Sequence, residues 1–344
     1  MIEIIEKSAL LSSYPQDIDK AIGITTTVPI EIIYAAGYFP VDLNNVFISS
    51  DDPSRMVDHA ELNGIPRNTC AWIKGIYSAA KKIGIKRLVG VAQGDCTNTH
   101  AIMDILDFAG LDVIPFEYPY KRDEDRLKCN LKEFANQLGA CHDDISSMKI
   151  KLDGIRALIH RIDELTWLDN KVTGEENHLW SVTASDMFGD YNTYEKDARV
   201  FLKKAKERTS IQHKIRLGFM GIPPICNDIF SFLDSLGCHV VFNEVQRQFS
   251  MPFETTTLEA QYTEYTYPYD IFMQIEDIKR EICKRSIDGI IFYVQNFCHR
   301  SIYEKIIRKL IDIPMITVDF DRPGPINGGM RTRLEAFVEM VENK

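Results

Sequence analysis

None of the eight cysteines forms a Cys-x-x-Cys pair, which excludes a zinc ribbon and the bacterial-ferredoxin spacing. There is no Walker-type phosphate loop and no Gly-x-Gly-x-x-Gly, so the chain itself is not expected to bind ATP or NAD. No apolar run is long enough for a membrane span. The first twenty residues lack a basic start followed by an apolar stretch, which argues against a signal peptide. The 40 basic residues are outnumbered by 50 acidic ones, for a net charge of −10, and they form no cluster, so nucleic acid is not an expected partner. These absences point to the cytoplasm, where cysteines stay reduced. A chain of 344 residues with 45% hydrophobic content has room for two domains.

Read in order, residues 1–24 suggest an amphipathic helical lead-in, followed by a short helix over 30–36 behind Pro29 and a first strand over 38–43. Residues 44–69 are polar and read as irregular. A helix over 70–82, a buried strand over 88–92, a helix over 98–109 and a strand over 112–116 complete a doubly wound unit. Helical periods dominate 129–140, 145–166, 180–187 and 192–208. From His213 a second α/β unit begins: strands 215–220, 239–243, 289–293 and 315–319, helices 227–236, 271–285, 301–310 and 331–341, and a long polar and aromatic loop over 244–268. The expected organisation is an N-terminal α/β domain (1–144), a helical connecting block (145–212) and a C-terminal α/β domain (213–344), both domains being doubly wound parallel sheets of the Rossmann or flavodoxin type.

Four cysteines fall at turns entering helices on the carboxyl side of strands: Cys70, Cys96, Cys226 and Cys298. Open α/β sheets bind ligands at that edge, and a helix N-terminus favours an anion, so a lowered thiol pKa is expected there. The neighbours of Cys70, Cys96 and Cys298 are polar, where a packing role would prefer apolar ones. Several thiolates meeting without a carboxylate-rich motif would suit iron–sulfur or zinc. Cys129, Cys141, Cys238 and Cys283 read as ordinary thiols.

Five segments in register carry a family resemblance: PIEIIYAAG, PRNTCAWIKGIYS, QGDCTN, IIFYVQNFCHR and RTRLEAF, running from about residue 27 to 341. The chain resembles the subunits of 2-hydroxyacyl-CoA dehydratases and benzoyl-CoA reductases, in the manner of the 2-hydroxyglutaryl-CoA dehydratase D-component. The resemblance implies two doubly wound domains with a 4Fe-4S cluster in the cleft between them, held by Cys70, Cys96 and Cys298, leaving one iron open. It also implies an oxygen-sensitive lyase that eliminates water from a 2-hydroxyacyl-CoA through a ketyl radical. The electron would come from an ATP-dependent activator protein carrying its own cluster, and the chain would work with a second subunit or as a homodimer.

The sequence departs from the family pattern after Cys96, where Thr97-Asn98 stands in place of Asp-Gly. Cys226 is a possible extra ligand. A related branch carries a double-cubane 8Fe-9S cluster and catalyses other reductions, and a benzoyl-CoA-reductase-like subunit or a non-catalytic electron-transfer or scaffold subunit are further alternatives.

Thr27 could supply a hydroxyl to the cleft, the alternative for Thr25–Thr27 being a helix N-cap. With Glu31, in the first turn after Pro29, it forms the candidate catalytic pair. Glu175, Glu176 and His178 could move protons or form a solvated charged turn, and Arg331 and Arg333 could bind a CoA phosphate or simply lie on the surface. The loop 243–269 could line a substrate or cover the sheet.

Overall fold

Eight short apolar segments become strands, and the computed structural model, which describes Tyr14 and residues 17–344, pairs them into two parallel four-stranded sheets. In the first, β1 (Ala21–Ile24), β2 (Phe39–Asp42), β3 (Arg87–Gln93) and β4 (Asp112–Glu117) lie in the order β2-β1-β3-β4. In the second, β5 (Ile215–Gly221), β6 (Cys238–Asn243), β7 (Gly289–Gln295) and β8 (Met315–Phe320) repeat that arrangement as β6-β5-β7-β8. Helices flank both sheets, and β1, β2, β6 and β7 are buried along their whole length, so they read as continuous apolar runs without alternation. The expected doubly wound α/β class is correct.

Several local expectations change. The lead-in helix over 1–24 is replaced at its end by β1; a four-residue strand buried on both faces offers no period to distinguish it from a helix. The earlier part of that lead-in lies outside the described residues, apart from Tyr14 and the single turn Ile18–Lys20. The irregular stretch 44–69 contains the helices Leu43–Ile48 and Pro53–Leu62. Asp42 caps the first by accepting from the Asn44 amide at 2.9 Å. Asp52 caps the second by accepting from the Arg55 amide at 2.9 Å, with Pro53 in the first turn. The loop 244–268 likewise holds two short helices, Glu244–Phe249 and Leu258–Glu264. The helix expected over 180–187 is Gly174–Thr183, started by a capping box in which Thr173 and Glu176 bond each other's backbone amides at 3.0 and 3.1 Å.

The chain divides into two compact units that interleave in sequence. One takes Met1–Ala157, Thr183–Lys196 and Met251–Asp270; the other takes Leu158–Val182, Asp197–Ser250 and Ile271–Lys344. Residues 145–212, read above as a connecting block, are shared out between them.

The second unit is cored by Met220, Phe242, Ile275, Ile290, Phe292 and Ile307. Beside this core the buried Arg285 donates to both Asp163 oxygens at 2.8 and 2.6 Å, to Glu281 at 2.5 Å and to the Val241 carbonyl at 2.7 Å. Burial alone would raise the Asp163 carboxyl, but Arg285 outweighs it and holds the pKa below the ordinary range.

In the first unit, the helix Ala71–Ile83 lies so close to Leu43–Ile48 that the Phe47 ring sits on Gly75, with Trp72 edge-on at 5.5 Å. A Cβ at Gly75 would fall 2.3 Å from that ring. Helix propensity favours alanine by about 1 kcal/mol, whereas overpacking typically costs about 1–3 kcal/mol. Gly75→Ala is therefore expected to be destabilising overall, read as a lower urea midpoint. An unchanged or higher midpoint would mean that Phe47 moves aside freely.

Candidate functional site

In a sheet ordered 2-1-3-4 the chain leaves its first strand towards one side and later builds its third on the other, opening a crevice at the carboxyl ends of those two strands. In the first unit these exits are Thr25–Pro29 after β1 and Gly94–Cys96 after β3. The first exit is tied to β3: the Thr25 amide donates to the Val89 carbonyl at 3.3 Å, and the Thr25 hydroxyl accepts from the Val91 amide at 3.2 Å. Gly94 takes φ +105°, and a Cβ there would lie 2.9 Å from both Pro268 and Tyr118, so the turn admits only glycine.

Cys96 is the N-cap of the helix Thr97–Phe108. Asp95 accepts from the Cys96 amide at 2.7 Å and from the Thr99 hydroxyl at 3.0 Å, and Thr99 Oγ1 lies 3.5 Å from the Cys96 sulfur. The lowered thiol pKa expected from the helix N-terminus is not found. Burial and then the Asp95 charge push Cys96 up, outweighing its hydrogen bonds to Thr99 and Asn98.

Cys70 is the N-cap of Ala71–Ile83 and is buried. One turn later Lys74, also buried, reaches back to donate to the Glu61 carboxylate at 2.8 Å and to the Arg67 carbonyl at 2.7 Å. Lys74 thereby fastens the Pro66–Thr69 turn that presents Cys70. Sequence reasoning had assigned it no role.

Thr27 is 3% exposed, and its hydroxyl has no hydrogen-bond partner among the described residues. It is not a helix cap: Pro29 holds the N-cap position of Ile30–Ala35, and the Thr25 hydroxyl is spent on Val91. The flanking backbone is pinned by two phenols: Tyr118 donates to the Thr27 carbonyl at 2.9 Å, and the Tyr262 hydroxyl, 3.1 Å from the Val28 carbonyl, shares its single proton between that oxygen and Glu31.

Glu31 is fully buried. It accepts from Arg156 at 2.5 Å, from Gln261 at 2.7 Å and from the Tyr262 hydroxyl at 2.8 Å. Burial would raise its carboxyl, but Arg156 and Gln261 win and hold it below the usual carboxylate range. Glu31 is thus a fixed anion at neutral pH rather than a group that exchanges a proton. Arg156 was visible in sequence only as a cation on the apolar face of 145–166, between Ile155 and Ile159.

The second unit repeats the pattern. Its third strand ends in Gln295 and reaches cysteine three residues later, as Gln93 does before Cys96. Cys298 is the N-cap of the turn His299–Tyr303; its amide donates to the Gln295 carbonyl at 3.0 Å, and the Ser301 hydroxyl donates to its carbonyl at 2.8 Å. This exit also has a positive-φ residue, Phe297 at φ +66°, one position later in the exit than Gly94 in the first unit. Gln295 is 1% exposed; its amide NH₂ donates to the Phe320 carbonyl, and its oxygen has no partner among the described residues. His299 is held down to about 4, by burial first and then by the Arg300 charge.

Cys226 stands apart. It is buried, bridged through its backbone to Gly324 and hydrogen-bonded by Tyr293, and burial pushes its thiol up to about 12.

The remaining candidates have partners within the chain. Glu176 completes the Thr173 capping box and takes a two-point bond from Arg208 at 2.8 and 2.9 Å. His178 meets Gln246 at 3.0 Å. Arg331 pairs with Asp228 at 2.5 Å, and Arg333 donates to the Thr317 carbonyl at 2.7 Å. The loop expected over 243–269 is divided: 243–250 belong to the second unit, and 251–269 pack inward in the first, with Tyr262, Tyr265 and Tyr269 around Tyr118 at 5.9–6.4 Å.

Among the described residues no three His, Cys, Asp or Glu side chains gather within either unit in a way that could hold a metal ion. The three expected thiol ligands are divided, Cys70 and Cys96 in one unit and Cys298 in the other. As donors they fit a thiophilic cluster: each is reduced and sits at a helix N-cap in extended backbone. Each switch point also carries a buried polar atom, Thr27 Oγ1 or Gln295 Oε1, with no hydrogen-bond partner among the described residues.

The family model for 2-hydroxyglutaryl-CoA dehydratase, D-component, matches residues 25–341 of the chain. No curated protein matches it.

Because the folded pKa of Glu31 is depressed, its contribution to stability is present above the unfolded value and lost as pH falls through the folded one. Arg156→Met reverses this: a buried carboxyl without its cation favours the protonated form, so the stability of the variant falls as pH rises. The expected loss against the wild type is about 3–5 kcal/mol at pH 8 and clearly smaller at pH 5. Urea titrations at both values check it, and an equal loss at both would refute the ion-pair account.

Proposed function

The chain belongs to the 2-hydroxyglutaryl-CoA dehydratase D-component family, and from that premise we propose that it is the iron–sulfur subunit of a 2-hydroxyacyl-CoA dehydratase. In this reading the enzyme is a lyase that removes water from a 2-hydroxyacyl thioester by a ketyl-radical route. An ATP-dependent activator supplies the electron, and a second subunit or a second copy completes the enzyme. The observation that supports the reading is the common setting of Cys70, Cys96 and Cys298, each at the N-cap position of a helix or helical turn, Cys96 and Cys298 at the same distance past the third strand of their sheets.

Those three cysteines would hold a 4Fe-4S cluster, which when bound supplies one-electron chemistry. Lys74 holds the turn that offers Cys70, and Asp95 holds the one that offers Cys96. The unpartnered Thr27 hydroxyl can bond a substrate oxygen without breaking a bond within the protein. Glu31, fixed by Arg156, keeps the Thr27 segment in place, and its ionised state suits anchoring better than proton transfer. Cys238 lies within β6, and Cys226 is bridged through its backbone to Gly324, so neither stands at a helix N-cap as Cys70, Cys96 and Cys298 do, which disfavours a double-cubane cluster.

Anaerobic purification is expected to give a brown protein with about four irons per chain. Cys70→Ala, Cys96→Ala and Cys298→Ala should each lose most of that iron, and Cys226→Ala should keep it. A wild-type protein that stays colourless after reconstitution would overturn the proposal. About eight irons per chain would select the double-cubane alternative instead. A loaded cluster without turnover of any 2-hydroxyacyl-CoA, with activator present, would select an electron-transfer or scaffold role.

A further inference from the structure

Two carboxyls in the first unit meet without a cation. Asp42 closes β2, Asp186 precedes the turn Met187–Gly189, and both are buried. The Asp186 carboxyl accepts from the Tyr14 hydroxyl at 2.6 Å, the Asp42 amide at 2.7 Å, the Phe188 amide at 3.1 Å and the Asn45 side chain at 3.3 Å. Asp42 accepts from the amide and the side chain of Asn44, both at 2.9 Å, and from the Ser185 hydroxyl at 2.6 Å. Asn45 also donates to that hydroxyl at 3.2 Å, so Ser185 and Asn45 link the two acids. Every one of these donors is neutral.

The turn that Asp186 introduces runs against backbone preference. Met187, Phe188 and Gly189 take φ of +51°, +53° and +70°, a conformation unfavourable for the first two. Asp186 holds it twice over. Its carboxyl accepts from Phe188, and its carbonyl accepts from the Gly189 amide at 3.0 Å and the Tyr34 hydroxyl at 2.8 Å. The turn lies in Thr183–Lys196, a stretch of the first unit that the chain enters from one segment of the second unit and leaves into another.

We propose that Asp42 and Asp186 form a proton-dependent clasp, which holds the segment Thr183–Lys196 on the carboxyl end of β2 while the two carboxyls share a proton and loosens it when both are ionised. Like charges in a buried site resist joint ionisation, and here no bonded cation offsets them. Burial first and then the Asp42 charge push Asp186 up to about 7, and burial raises Asp42 as well. The other titratable groups facing Asp186 are Tyr14, Tyr34 and Tyr194, phenols that burial keeps neutral. Asp190, Tyr191 and Arg156 act on Tyr34, and Arg156 is already paired with Glu31. A carboxyl whose folded pKa lies above its unfolded one contributes stability at low pH and loses it as pH rises through about 7. The clasp also touches the exit from β1, because the Asn44 side chain bonds both Asp42 and the Thr25 carbonyl at 2.9 Å. It is independent of the iron site proposed above.

Hydrogen–deuterium exchange of the full-length chain at pH 6 and pH 8, read by mass spectrometry and corrected for the intrinsic pH dependence of exchange, tests the clasp. Protection of peptides from 183–196 should fall about tenfold between the two values, because the open segment releases a proton that the closed one keeps. The helix Ala71–Ile83, in the same unit, should change by less than about threefold. Asp42→Asn removes one of the two charges and can still bond Ser185, so protection of 183–196 should then stay within about threefold across the same range. An equal fall in both segments, no fall in 183–196, or a tenfold fall that persists in Asp42→Asn overturns the proposal. Should Asp42→Asn fail to fold, the wild-type contrast between the two segments decides alone.

Discussion

The buried ion pair between Glu31 and Arg156 is the contact on which the first unit depends. Both side chains are almost completely removed from water, and two buried charges are tolerated only with good geometry and their remaining hydrogen-bonding capacity satisfied. Gln261 and Tyr262 meet that second requirement, so the pair draws three distant stretches together: the exit from β1, the helix His142–Trp167 and the helix Leu258–Glu264. The tyrosine cluster around Tyr118 follows from it, because the Tyr262 hydroxyl that bonds Glu31 also bonds the Val28 carbonyl. Thr27 stands at the edge of this arrangement, rigidly held through its backbone while its hydroxyl stays unpartnered.

The second unit solves the same problem with Arg285, whose guanidinium spans Asp163, Glu281 and the Val241 carbonyl. The two sheets share a strand order, a Gln-x-x-Cys exit from the third strand and a left-handed residue within that exit, yet they meet the left-handed requirement with different residues. Gly94 is there because Pro268 and Tyr118 leave no room for a side chain; Phe297 meets no such obstacle and carries its ring out to solvent. The likeness is one of backbone course rather than of side chains, which is why the two halves show no close repetition in sequence.

Much of this was readable from the residues. The runs at 88–92, 215–220 and 289–293 are apolar enough, and bounded clearly enough by glycine, proline and aspartate, to be strands, and the positions of Cys70, Cys96 and Cys298 at helix entries followed from them. What escaped was everything decided through space. Four residues at Ala21–Ile24 carry no period, so β1 was mistaken for helix. The Cys96 thiol was expected to follow its helix terminus, whereas burial and the side chain next to it prevail. Thr27 resembled a cap because only the folded backbone shows Pro29 already in that place. Arg156 escaped notice because nothing local tells a buried ion from a solvated one.

The interleaving of the two units has a consequence for how the chain is made. Synthesis runs from the N-terminus, and the first unit cannot close until Asp270 has left the ribosome, well after β5 and β6 of the second unit have emerged. Until then the nascent sheet lacks Gln261 and Tyr262, and Glu31 has only Arg156 to answer its charge. The two halves therefore mature together instead of one after the other. A translational pause between residues 157 and 251 would hold the protein at its most vulnerable stage, with the rim that carries Thr27 and Cys96 still unsupported.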